Sequence, residues 1–116
     1  MKSMEIKIQG LDVPVLCKIG QNAHENQTLV TTGNPSDLWF HVDGFSSAHV
    51  VVSLPHGVDR KQRGKIIVQG ALLCKQHTAK MKSVQNVPIV YTTLEHVTAT
   101  DVPGSVLTSN TNTITV

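Results

Sequence analysis

Aromatic side chains are scarce in this chain: one Trp, one Tyr and two Phe among 116 residues. A core with so few rings must be built from Val, Ile and Leu, and that composition, with many Thr, favours sheet. Cysteine is equally sparse. Cys17 and Cys74 are far apart and lack metal-type spacing. That leaves two reduced, buried thiols as the expectation, with a disulfide between them as the minority reading. No apolar run approaches the roughly 20 residues a membrane span needs, and no secretory signal is expected from the residues at the N-terminus. The expected compartment is cytoplasmic, or nuclear. Neither sign of charge dominates: the formal net charge is +2 and the pI is near 8.7, which permits an acidic partner without demanding one. There is no Gly-rich phosphate loop, no H-x-x-x-H or C-x-x-C spacing, no internal repeat and no heptad pattern.

What is present reads as one α+β domain over residues 1–116, long enough to bury a core unaided. The expected architecture is a mixed or mostly antiparallel sheet of about six to seven short strands with two helices. Met4 to Gln9 and Val13 to Ile19 alternate as a hairpin, with Pro14 near the start of the second strand. Gln21 to about Thr31 reads as a short helix, with Asn22 as N-cap and Glu25 three residues on; Gly33-Asn34-Pro35 stops it. Its candidate buried residues are Ala23, Leu29 and Val30. From Asp59 to His77 the pattern is helical again. Ile67, Ala71 and Cys74 share one side with Ile66, Gly70 and Leu73 adjoining, so this helix is expected deep against the sheet, with Gly70 allowing close approach. Val87 to Thr93 is a strand, with His96-Val97 as an extension, and Ser105 to Thr108 and Thr113 to Val116 are two short closing strands.

The densest chemistry lies between Ser36 and Leu54, where three of the four aromatics and two of the six histidines fall. The stretch reads as two strands around a Gly/Ser turn. Strand side chains alternate faces, so Leu38, Phe40 and Val42 share a face, as do Ala48, Val50, Val52 and Leu54. Pairing residue 41 with residue 49 makes those faces coincide, whereas a one-residue slip would put His49 beside Leu38 and Phe40. The clean register gathers Trp39, His41 and His49 on the second face, expected to project outward as the candidate site. Trp39 then either stacks on an unpaired base or packs over that face, and the histidines either meet a ligand or form a satisfied polar layer. A metal site from His41, His49 and His77 or Asp43 would fit the three-ligand need of catalytic zinc. Without supporting spacing, a His-based metal-dependent enzyme is the remote alternative, and no metal or cofactor is expected.

Basic residues cluster twice. Arg60, Lys61, Arg63 and Lys65 crowd the first turns of the second helix, where their sign opposes the helix dipole. Lys75, Lys80 and Lys82 lie at and beyond its end. Each cluster suits either solvent or a phosphate backbone.

Three ordered blocks carry a resemblance: Ile19-Gly20-Gln21-Asn22-Ala23-His24-Glu25-Asn26, then Asp37-Leu38-Trp39-Phe40-His41-Val42, then Ser47-Ala48-His49-Val50-Val51. Together with Val87 to Thr92 and Thr113 to Val116 they resemble the NFACT-R (NFACT RNA-binding) domain. The likeness runs from about residue 15 to the C-terminus, with residues 1–14 outside its strongest part. The wording is nearest to the family's stand-alone class, in which a charged coiled coil usually follows the domain. It departs at Thr98-Ala99-Thr100, where relatives often carry lysines. The resemblance implies a non-catalytic RNA-binding module linked to ribosome-associated processes, with tRNA or rRNA as partner. An aromatic platform favours RNA that presents unpaired bases. In this reading Trp39, His41 and His49 touch base or sugar, and Arg60, Lys61, Arg63, Lys80 and Lys82 meet phosphates. The alternative is a protein-interaction module that docks on a ribosome- or nucleic-acid-associated partner through an apolar patch around Trp39 and Val51.

Overall fold

In the computed structural model, which describes residues 1–116, helix α2 (Arg60–Gln76) forms where its periodicity predicts. Asp59 caps it: the carboxylate accepts from the Gln62 N–H at 2.7 Å, and the Asp59 N–H donates to the Gln62 side chain at 3.1 Å. This reciprocal pair satisfies two donors that a helix start otherwise leaves open. Ile66, Ile67, Gly70, Ala71, Leu73 and Cys74 are its buried residues. Gly70 sits so close to the sheet that an added Cβ would overlap the Phe40 ring, so only hydrogen fits there.

The sheet that α2 covers has six strands: β1 (Lys2–Ile6), β2 (Val15–Gly20), β3 (Leu38–Val42), β4 (His49–Val52), β5 (Pro88–Thr93) and β8 (Asn112–Thr115). Their spatial order is β1-β2-β4-β3-β5-β8, with every neighbour antiparallel. The β3–β4 ladder pairs Leu38 with Val52, Trp39 with Val51 and Phe40 with Val50, the register that faces residue 41 with residue 49. Leu38, Phe40, Val42, Val50 and Val52 join Cys17, Ile19, Ile66 and Cys74 in the main core. The first hairpin is shorter than expected at its turn. Its ladder ends at Ile6 opposite Val15, because the next position on β2 is Pro14, which has no N–H to give.

The other face is closed too. Helix α1 (Ala23–Thr32) and a two-stranded ribbon, β6 (Val97–Ala99) with β7 (Val106–Thr108), lie over it. Leu29, Trp39, Val51, Leu94 and Val97 form a second, smaller core in that layer. The two closing strands therefore part company: β7 pairs with β6, and β8 crosses to the edge beside β5. Asn22 caps α1 as expected, accepting from the Glu25 N–H at 3.0 Å. Ala23 is exposed, however, and Asn26 is buried in its stead. No helix is long and apolar enough to cross a membrane.

Candidate nucleic-acid interface

The β3–β4 register brings Trp39, His41 and His49 together, but not as an outward platform. Trp39 is 2% exposed and His49 1%; α1 and the β6–β7 ribbon seal the face on which they stand. Two corrections follow. Trp39 has no free ring face to offer a base, and with Val51 also buried there is no apolar docking patch around them.

The three rings make a packed polar layer. The Trp39 Nε1–H donates to His49 Nδ1 at 3.1 Å. Indole nitrogen is donor only, so His49 must carry its proton on Nε2. The His41 ring stacks on Trp39 at 5.7 Å with an interplanar angle of 8°, and meets His49 at 4.9 Å and 90°. Burial, with His41 adding to it, pushes His49 from 6.5 down to about 3. Burial also holds His41 below the ordinary imidazole range, against the opposing pull of the Val42 backbone and Asp43. Both rings are neutral near pH 7. The Asn26 side-chain Oδ1 accepts the His49 backbone N–H at 3.3 Å, and Gly20 leaves the space that Asn26 occupies. No three His, Cys, Asp or Glu side chains converge as metal ligands. Cys17 and Cys74 are buried and free, with thiols pushed up by burial to about 11 and about 12, so neither is poised as a nucleophile.

Beside this layer opens a cleft of about 730 Å³. Four element ends meet around it: the β3–β4 turn, the start of α1, the end of α2 and the β6–β7 turn. His41 and His49 reach it from one wall, and His77, Thr78 and Lys80 line another. Phe45 stands at its edge, 57% exposed. It projects from the β3–β4 turn, which Gly44 makes possible with φ of 76°. Of the four aromatic residues Phe45 alone is exposed, since Tyr91 packs on Phe40 at 5.9 Å. Phe45 is the residue that the strand-face argument missed. The available signal was its place in a Gly/Ser turn, where a large apolar side chain has no strand face to join.

The basic residues divide. Lys80 lines the cleft, and Lys82 follows it as an exposed neighbour. Arg60, Lys61 and Arg63 are exposed at the opposite end of α2, about 25 Å away at 1.5 Å per residue. They do not join Lys80 and Lys82 beside the ring cluster, so the phosphate contacts expected of the two clusters do not fall on one rim. Residues 60–82 nevertheless contain seven of the ten lysines and arginines and none of the acidic residues, so the α2 side of the molecule is strongly cationic and the remainder is acidic on balance.

Residues 7–114 match the NFACT protein RNA binding domain. Coiled-coil domain-containing protein 25 of Danio rerio is 36% identical over 75 residues, covering 64% of this chain and 36% of its own length. The Mus musculus protein of that name is 37% identical over the same shares. The Dictyostelium discoideum homolog is 35% identical over 83 residues, covering 71% of this chain and 40% of its own length. The chain thus spans little more than a third of the curated relatives it matches. The C-terminal part of the fibronectin/fibrinogen-binding protein from Streptococcus suis superposes over 100% of this chain and 45% of that one, with a TM-score of 0.80 at 18% identity, which shows a shared fold.

Proposed function

The chain belongs to the NFACT protein RNA-binding domain family, and from that premise we propose that it is a non-catalytic module that holds an unpaired RNA nucleotide in the cleft at the β3–β4 turn. The observation that carries this reading is the exposed Phe45 beside the half-buried His41 and the cationic Lys80 on one concave surface. The Phe45 ring stacks on the base. Neutral His41 offers one donor and one acceptor to base edge or ribose, and Lys80 meets a phosphate. Trp39 and His49 act behind them as positioning residues, holding His41 in place. A splayed-out base enters such a cleft where a stacked one does not, which favours loops, bulges and ends over duplex.

The family match supports RNA as the partner, and tRNA or rRNA in a cytoplasmic, ribosome-associated setting is the finer form of the proposal. Replacing Phe45 with Ala removes a stack of about 1–3 kcal/mol, or roughly 5- to 150-fold in affinity. At so exposed a site it changes stability by no more than about 0.5 kcal/mol. Fluorescence anisotropy with single-stranded RNA checks this. Lys80→Gln lowers the salt slope by about 0.7. Unchanged affinity in Phe45→Ala refutes the cleft. Recovery of ribosomal particles that survives nuclease treatment refutes RNA as the tether.

A further inference from the structure

A row of cationic groups leads out of the cleft along the seam between edge strand β1 and helix α2. It begins at Lys2, whose Nζ lies 3.4 Å from the Nε2 of His77, a residue that lines the cleft. His77 Nδ1 is 2.9 Å from the Leu73 carbonyl, so the ring donates there and accepts from the lysine. Strand alternation puts Lys2 on the same face as Met4 and Ile6, which pack toward α2. Glu5 falls on the opposite face, paired with Leu16. Further along, a second cleft of about 300 Å³ opens between the end of β1 and the middle of α2, with Lys7 and Lys65 on its two sides. Lys65 Nζ reaches the Gln9 carbonyl at 3.4 Å, and Lys61 is one turn beyond. Among the acidic residues near the far end, Asp59 is engaged in capping α2 and Asp12 lies out in the β1–β2 turn.

We propose that this seam is the backbone track of the bound strand: RNA whose unpaired nucleotide occupies the cleft continues along β1 and α2, with Lys2 meeting a phosphate near the cleft and Lys7 and Lys65 meeting phosphates further along. The proposal rests on the cleft reading and assigns the footprint beyond it. The strand leaves on the β1 side of α2, away from Lys75, whose ammonium is turned to the Val116 carbonyl at 3.3 Å. A strand filling only the cleft reaches no further along the seam than Lys2, beside His77, so the two contributions separate by length.

The test uses the full chain and two single-stranded RNA probes, of about 4 and about 12 nucleotides, the range of single-strand site sizes. Affinities are measured across salt. In Lys2→Gln/Lys7→Gln/Lys65→Gln the slope of log K against log salt falls by about 2 for the longer probe, at roughly 0.7 per phosphate contact, and by no more than about 0.7 for the shorter one. Lys18→Gln/Lys75→Gln removes charge off the seam and leaves both slopes near wild type. A longer probe that binds through Phe45 yet keeps its full slope in the triple variant overturns the seam alone. An equal loss in the double variant also overturns it, since bulk charge then accounts for the effect. Binding that ignores Phe45→Ala with both probes overturns the cleft and the seam together.

Discussion

His49 makes acid the sharpest probe of the buried ring layer. Its imidazole titrates near 6.5 in the unfolded chain but only at about 3 when folded. Between those values the unfolded state binds the extra proton, so stability falls as pH falls through this window and is fully restored above pH 6.5. From pH 7.5 to 5.0 the loss traverses about 1.5 units below the unfolded value, at about 1.4 kcal/mol each, or roughly 2 kcal/mol. His41, also held low chiefly by burial, adds in the same direction. Urea unfolding reads the effect through the emission of Trp39, the chain's one tryptophan, which contacts His49 directly. With a urea m-value of about 2 kcal/mol per molar, the midpoint shifts by about 1 M. The reference is His49→Gln, whose amide carbonyl can accept the indole N–H and does not titrate. Its midpoint moves less over the same pH interval, the difference corresponding to about 2 kcal/mol. If wild type and His49→Gln lose stability in parallel, His49 is not held neutral inside, and the account of the layer is wrong.

Other outcomes follow from the same packing. Trp39→Ala costs about 3–5 kcal/mol, as for other buried large-to-small changes, and circular dichroism in urea detects it; a loss of RNA affinity at unchanged stability would mean that Trp39 reaches RNA after all. Gly70→Ala drives a methyl into the Phe40 ring and costs about 1–3 kcal/mol, so a neutral or stabilising result would show that α2 can ride away from the sheet. Cys17 and Cys74, buried with thiols raised to about 11 and about 12, react with a disulfide reagent only as fast as the chain opens; immediate labelling of the native protein at pH 8 contradicts their placement.

The parts of the fold that could be read from the sequence are those where a pattern has one physical solution. The β3–β4 register was legible because only one pairing keeps His49 away from Leu38 and Phe40. The extent of α2 and its buried arc were legible because six small or apolar residues between Asp59 and His77 fall on one side of the same helix, whereas the Asp59–Gln62 cap emerged only in the structure. The second face was not. Trp39, His41, His49 and Val51 look the same in sequence whether solvent or another layer covers them. The covering comes from Leu29 on α1 and from Leu94 and Val97 just after β5. Those segments are short and weakly periodic, and Thr-rich ends disguise β6 and β7. Asn26 was equally hidden: a polar residue on a short helix signals solvent until β4 is known to present the His49 N–H to it. The basic clusters were visible as clusters, but only the length and direction of α2 show that Arg60 and Lys80 stand at opposite ends.

That closure is also what makes the cleft. A sheet covered on one side only would leave Trp39 and the two imidazoles on a flat wet surface, with their nitrogens hydrogen-bonded to water and no fixed orientation. Covering them excludes water from the indole N–H and His49 Nδ1, so the bond between them is needed to avoid an unsatisfied buried donor. The same bond fixes the His49 tautomer, and the parallel stack on Trp39 orients His41. The covering elements stop short where the β3–β4 turn begins. There the start of α1, the end of α2 and the two turns diverge around the last exposed ring edge. Recognition residues placed on such turns draw rigidity from the layer behind them. Thus the rings that first look like the binding surface act as its foundation, and Phe45, His41 and Lys80 are the groups left free to meet a nucleotide.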